Sequence, residues 1–257
     1  MLIIPPAPAF VQIYLHIVRG CLCVRICIGN RRYNGNLNYG KIMRKKIVFI
    51  GNSIVAGYPW GKGKSFASVV RNVLKGEGPE GLPRPEYAKQ TGFDVINKGV
   101  NGDTTSGIDA RFDHDVLSHS PDIVFYLTGA NDFIYREATP DEAFDNLQNL
   151  AARADEKGAV SVYITPTPVD AGKAGYMWLA GCGISYDAVN KELEYFSELI
   201  RNSGRPYVDM NNLYREYIAE LGDPEDAYLD GVHPTPAGHQ FMAARVLETI
   251  EKEELYK

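Results

Sequence analysis

Cysteine is scarce in this chain and lopsided: Cys21, Cys23 and Cys27 lie within the first 42 residues, and Cys182 alone follows them. A body with one cysteine cannot be built on disulfides, which fits a reducing compartment. Acid is missing from residues 1–42, which carry Arg19, Arg25, Arg31, Arg32 and Lys41 but no Asp or Glu. With the whole chain at −5, the remainder therefore stands at −10. No basic surplus speaks for nucleic-acid binding. A membrane-spanning run is lacking too, because the apolar start is interrupted by Pro5, Pro6, Pro8 and His16 before the first arginine. A secretory signal needs a basic opening ahead of its apolar core, and an organelle transit peptide is rich in serine; neither feature is present, so the chain is expected to be cytoplasmic. Internal repeats and low-complexity segments are absent.

What is there has ordinary globular composition, 45% apolar and 23% charged, and the length for one α/β domain with a large core. Met43-Arg44-Lys45-Lys46 looks like a natural start directly before the first strand. Residues 43–257 are accordingly read as the domain, and residues 1–42 as an extension that is disordered or a gene-start artefact. Apolar runs bounded by Gly, Pro, Asp or Asn predict strands at about 45–51, 93–99, 122–129, 159–165 and 205–210. Helical spacing covers about 64–75, 104–118, 140–157, 185–203 and 235–252. This alternation predicts a three-layer α/β/α domain on a parallel, flavodoxin-like five-stranded sheet. Two stretches break the rhythm: 76–92, a proline-containing surface excursion, and 166–184, a long loop bearing Tyr176, Met177 and Trp178. The second reads equally as the wall of a pocket or as a packed Ω-loop.

The chemistry gathers at strand ends. Lys45-Lys46-Ile47-Val48-Phe49-Ile50 is a buried-strand pattern that stops at Gly51-Asn52-Ser53, which puts Ser53 where open α/β sheets hold ligands. A serine there can also simply cap a helix. Near the other end, Asp230-Gly231-Val232-His233 sets a carboxylate and an imidazole three residues apart. A serine nucleophile needs a base, and the base needs a partner to fix its tautomer; His233 and Asp230 have the chemistry for both. The bland alternative is a surface histidine beside an ordinary turn residue, and a metal reading of Asp230, His233 and His239 lacks further ligands at a recognised spacing. Gly102 and Asn131 follow the second and third strands and offer a backbone N–H and a side-chain amide for an oxyanion. Singly, each is also an ordinary turn or cap residue.

Taken together, Gly51-Asn52-Ser53-Ile54, Gly99-Val100-Asn101-Gly102-Asp103-Thr104-Thr105, Gly129-Ala130-Asn131-Asp132 and Asp230-Gly231-Val232-His233-Pro234 resemble the four blocks of the SGNH hydrolases, also called the GDSL esterase/lipase family, over about residues 45–250. The resemblance implies the SGNH fold and a serine esterase without cofactor or metal, acting on a small-molecule ester through an acyl-enzyme. It makes Ser53 the nucleophile, His233 the base and then acid, and Asp230 the orienting carboxylate. The Ser53 N–H, the Gly102 N–H and the Asn131 side chain become the oxyanion hole. The family's first block usually has Asp where Asn52 stands here, which leaves the local hydrogen bonding open. Short acyl groups, acetyl to butyryl, on an alcohol such as a sugar are expected, with Tyr176 or Trp178 packing on the substrate. A lysophospholipase or acyl thioesterase on the same fold is the alternative, and a non-catalytic binding protein the alternative of another class. No nucleic-acid partner or stable membrane insertion is expected, and the oligomeric state is not legible.

Overall fold

The computed structural model describes residues 11–18, 21–28, 31–37, 44–178 and 185–257, with side chains over 44–175, 185–223 and 226–257. The chain divides into two compact units, Met1–Met43 and Arg44–Lys257. In the first, strands β1 (Val11–Val18), β2 (Cys21–Ile28) and β3 (Arg31–Leu37) pair antiparallel in that order. The sequence reading, which leaves this stretch as a tail or artefact, anticipates no strands there. The β-branched residues of Val11–Val18 and Cys21–Ile28 are the local signal for them.

The second unit is an α/β/α sandwich. Strands β4 (Arg44–Gly51), β5 (Gly92–Gly99), β6 (Ile123–Leu127), β7 (Val160–Ile164) and β8 (Tyr207–Val208) form one parallel sheet in the order β5-β4-β6-β7-β8. The helices are α1 (Ser53–Ala56), α2 (Phe66–Lys75), α3 (Glu86–Gln90), α4 (Thr105–Asp115), α5 (Ala130–Tyr135), α6 (Pro140–Asp155), α7 (Ala171–Trp178), α8 (Tyr186–Arg201), α9 (Met210–Leu221), α10 (Pro224–Ala227) and α11 (Pro236–Lys252). In β4, Ile47 and Phe49 face the core under α2, α9 and α11, while Val48 and Ile50 face the core under α4, α6 and α8. Burial on both faces is why the run is continuously apolar. Phe49 stacks on Phe125 at 4.9 Å and meets Phe66 edge-on at 5.5 Å, so α2 locks onto the two central strands through aromatic contact.

The sheet's register prepares the site. Gly51 pairs with Gly99 on one side and with Leu127 on the other, so β5, β4 and β6 end level. Ser53 follows the end of β4 by two residues, Gly102 that of β5 by three and Asn131 that of β6 by four. The chain leaves β4 first to one side and then to the other, making its carboxyl end the topological switch point where such sheets bind ligands. Gly51 is required there: its φ is +155°, and a Cβ would stand 2.1 Å from the Leu127 carbonyl oxygen.

Two predicted elements differ. The strand expected over 205–210 pairs only through Tyr207 and Val208, and α9 begins at Met210. Asp209, between the two, accepts through its carboxylate from Arg201 Nε at 3.0 Å and from Asn212 Nδ2 at 2.8 Å. The loop expected over 166–184 includes α7. Among the described residues, no helix is long and apolar enough to cross a membrane.

Candidate active site

Ser53 is the first residue of α1, and the Asn52 side-chain oxygen accepts from the Ile54 N–H at 3.1 Å, capping that helix. A four-residue helix would not persist alone; the cap and burial of Ile54 and Val55 hold it. At this position the amide oxygen of Asn52 supplies an acceptor, as a carboxylate oxygen also could. The Ser53 N–H, at the first helical position, has no acceptor within the helix and stays available.

Ser53 Oγ lies 2.8 Å from His233 Nε2, and His233 Nδ1 lies 2.7 Å from Asp230 Oδ2. The second carboxylate oxygen accepts from the backbone N–H groups of His233 at 2.7 Å and Val232 at 3.0 Å. Asp230 is therefore held by its own turn and cannot swing away from the imidazole. Burial alone pushes its carboxyl up, but the bonds from His233 and Val232 and the nearby His233 charge outweigh that and leave it below the usual range. An ionised Asp230 can only accept, so Nδ1 carries the proton and Nε2 is left to accept from Ser53 Oγ.

The two other proposed oxyanion donors are tied to each other. Asn131 Nδ2 donates to the Asp103 carbonyl oxygen at 2.9 Å, spending one amide hydrogen and leaving the second free. Gly102, next to Asp103, has φ +77°, and the turn closes through Asp103 N–H to Val100 O, so the Gly102 N–H is not consumed by it. Asp132 clamps the same two loops, accepting from the Thr105 N–H at 3.0 Å and the Thr105 hydroxyl at 2.6 Å.

Sequence reasoning missed several contributors. The Tyr58 ring lies 4.6 Å from the His233 imidazole, and Trp60 Nε1 donates to the Pro234 carbonyl at 3.1 Å. The segment after the nucleophile thus packs on the segment bearing the base; two aromatics seven residues or fewer beyond Ser53 were the available signal. Beside Tyr58 an open groove of about 480 Å³ runs along Ala56, Pro59, Gly61, Lys62, Val100 and Asn101. His239, weighed as a metal ligand, instead accepts from the Phe66 N–H through Nδ1 at 3.2 Å in full burial. Among the described residues no group of three metal-binding side chains assembles. The stretch 166–175 packs under the Asp230 turn: the Asp170 N–H donates to the Gly231 carbonyl at 2.9 Å, and the Tyr228 hydroxyl donates to the Pro168 carbonyl. The Tyr176 and Trp178 side chains and residues 179–184 lie outside the described residues.

The model of the GDSL-like lipase/acylhydrolase family matches residues 49–241. The acetylxylan esterase of Geobacillus stearothermophilus is 24% identical over 228 residues, covering 80% of this chain and 94% of that protein. The arylesterase of Vibrio mimicus is 26% identical over 209 residues, covering 81% of this chain and 89% of that protein. The crystal structure of a lipase/acylhydrolase from Enterococcus faecalis superposes with a TM-score of 0.62 at 24% identity, over 81% of this chain and 96% of that one; this likeness is one of fold.

Proposed function

The chain belongs to the GDSL-like lipase/acylhydrolase family, and we infer that it is a serine esterase that prefers short acyl groups, acetyl to butyryl, on a water-soluble alcohol such as a sugar. Hydrolysis of carboxylic esters is the family's chemistry. The observation that carries the assignment of roles is the unbroken line Ser53 Oγ, His233 Nε2, His233 Nδ1, Asp230 Oδ2, with contacts of 2.8 and 2.7 Å.

In this reading His233 Nε2 takes the Ser53 proton as Oγ attacks the ester carbonyl, and Asp230 stabilises the resulting imidazolium. Negative charge on the carbonyl oxygen is met by the Ser53 N–H, the Gly102 N–H and the free Asn131 amide hydrogen. The intermediate collapses as His233 returns the proton to the departing alcohol. Water then repeats the sequence on the acyl-Ser53 ester, yielding the acid and free enzyme.

Two things support the short-acyl preference. The groove beside Tyr58, whose ring touches His233, is open, and each extra methylene gains about 0.8 kcal/mol only when it is buried. One relative is named for acetylated xylan. The test is the specificity constant along p-nitrophenyl esters from acetate to palmitate, run beside Ser53→Ala and Trp178→Ala. The short esters should lead, and Ser53→Ala should lose turnover by several orders of magnitude, about 10⁶ in comparable serine enzymes. Wild-type turnover in Ser53→Ala would sink the mechanism. A steady rise toward palmitate would move the assignment to a lysophospholipase or thioesterase, and an unchanged series in Trp178→Ala would remove the end of α7 from the site.

A further inference from the structure

We propose that Arg111 is a positioning residue for oxyanion stabilisation, holding the Gly102-Asp103 turn so that Asn131 points its free amide hydrogen at the reacting carbonyl. The proposal rests on the reading of Gly102 and Asn131 as oxyanion donors.

Arg111 sits two turns into α4, and side chains of a helix lean toward its N-terminus, which carries this one back over the turn that precedes the helix. Its Nε and one terminal nitrogen both donate to Asp103 Oδ2, at 2.8 and 2.6 Å. That same nitrogen reaches the Gly51 carbonyl at 3.4 Å, and the other donates to Asp115 Oδ2 at 2.7 Å. Asp115 is itself gripped by Lys98 Nζ at 3.1 Å, so the guanidinium is fixed from both sides. The Arg111 and Asp103 side chains are only 18% and 9% exposed, where a charge-assisted fork is far more confining than a pair in open water. Room for the carboxylate comes from Gly107, at which a Cβ would stand 2.2 Å from Asp103 Oδ1.

The consequence runs through the backbone. The Asp103 carbonyl accepts the Asn131 amide at 2.9 Å, so whatever fixes the 102–103 segment also fixes the amide. One side chain thereby links the ends of β4, β5 and β6, which contribute the nucleophile and the two further donors. A general need to hold these loops together is already met by Asp132 on Thr105. The Arg111 path differs in ending on the proposed donor.

The experiment is a double-mutant cycle on p-nitrophenyl acetate with Arg111→Met, Asn131→Ala and the pair, alongside Arg111→Lys and the near-isosteric Asp103→Asn. Deleting an oxyanion donor costs about 10²–10³ in rate, so Asn131→Ala should lose about that much kcat. Arg111→Met and Asp103→Asn should each lose about tenfold or more in kcat with little change in KM, and Arg111→Lys should regain part of it. The double variant should be no slower than Asn131→Ala alone, because Arg111 acts through a donor already gone. If the two losses multiply, if they fall on KM, or if Arg111→Met keeps wild-type kcat, the positioning role is overturned while the oxyanion reading stands. Should Arg111→Met fail to fold, Asp103→Asn with Asn131→Ala completes the cycle with the same deciding outcomes. An Asn131→Ala variant with full kcat overturns the oxyanion reading itself and the proposal with it.

Discussion

At the scale of single residues, the site depends on a tautomer that one carboxylate enforces. Asn at position 230 would keep the shape but present a donor to Nδ1 or accept there only weakly, so Ser53 would lose its base. Turnover of Asp230→Asn is expected to fall by about 10⁴ with melting temperature little changed, and near wild-type activity would contradict the assignment. A second histidine matters for stability. Burial, then the His233 charge, pushes His239 down to about 4, while an unfolded histidine titrates near 6.5. Between those values the unfolded chain binds a proton that the folded chain refuses. Stability should therefore be fully present above about 6.5 and fall as pH drops toward 4, by up to about 1.4 kcal/mol per pH unit from this group. Burial raises Asp103 and Asp132, and these act in the opposite sense at the acid end. The informative measurement is thus the pH–stability slope of His239→Leu beside wild type. A slope as steep in the variant as in wild type would remove His239 as the cause.

Among the elements, α1 is only four residues long and yet carries the proposed nucleophile. Its start is held by the Asn52 side chain on the Ile54 N–H, and Ser53 rides on that turn. Asn52→Ala should cost about 0.5–2 kcal/mol and reduce turnover, because the serine loses its fixed approach to His233. Asn52→Asp retains an acceptor and should stay close to wild type in both melting and p-nitrophenyl acetate turnover; equal damage in the two variants would refute the capping argument. Helix α7 contributes through the segment that precedes it. Its aromatic side chains lie outside the described residues, while Asp170, directly before it, braces the Asp230 turn through its N–H to the Gly231 carbonyl. A brace of this kind leaves no motif, since it is made by backbone groups.

For the whole molecule, the family match begins at residue 49 and the second compact unit at Arg44. No proposed site residue lies earlier. A protein consisting of Arg44–Lys257 should therefore fold and turn over p-nitrophenyl acetate as the full chain does. Insolubility or inactivity of the shorter protein, with the full chain active, would make residues 1–43 part of the working fold.

The amino-acid sequence alone determined the alternation of strand and helix and the parallel sheet, and it marked out the residues of the candidate site. Those features rest on periodicities and turn residues that are local: Ile47 to Ile50 announce a strand buried on both faces, and Gly51 announces its end. The helices α6, with its Pro140 opening, and α11 were legible for the same reason. Tertiary structure decided what separate segments do to one another. It brought Ser53 within 2.8 Å of a histidine 180 residues away and laid Tyr58 against that ring. It bound Arg111 to Asp103 and buried His239 against Phe66, and it cut β8 to two residues. None of these contacts has a local period, because each depends on the level ends of β5, β4 and β6 and on cores packed from distant parts of the chain. The motif residues could be read one at a time; their orientation belongs to the packed sheet.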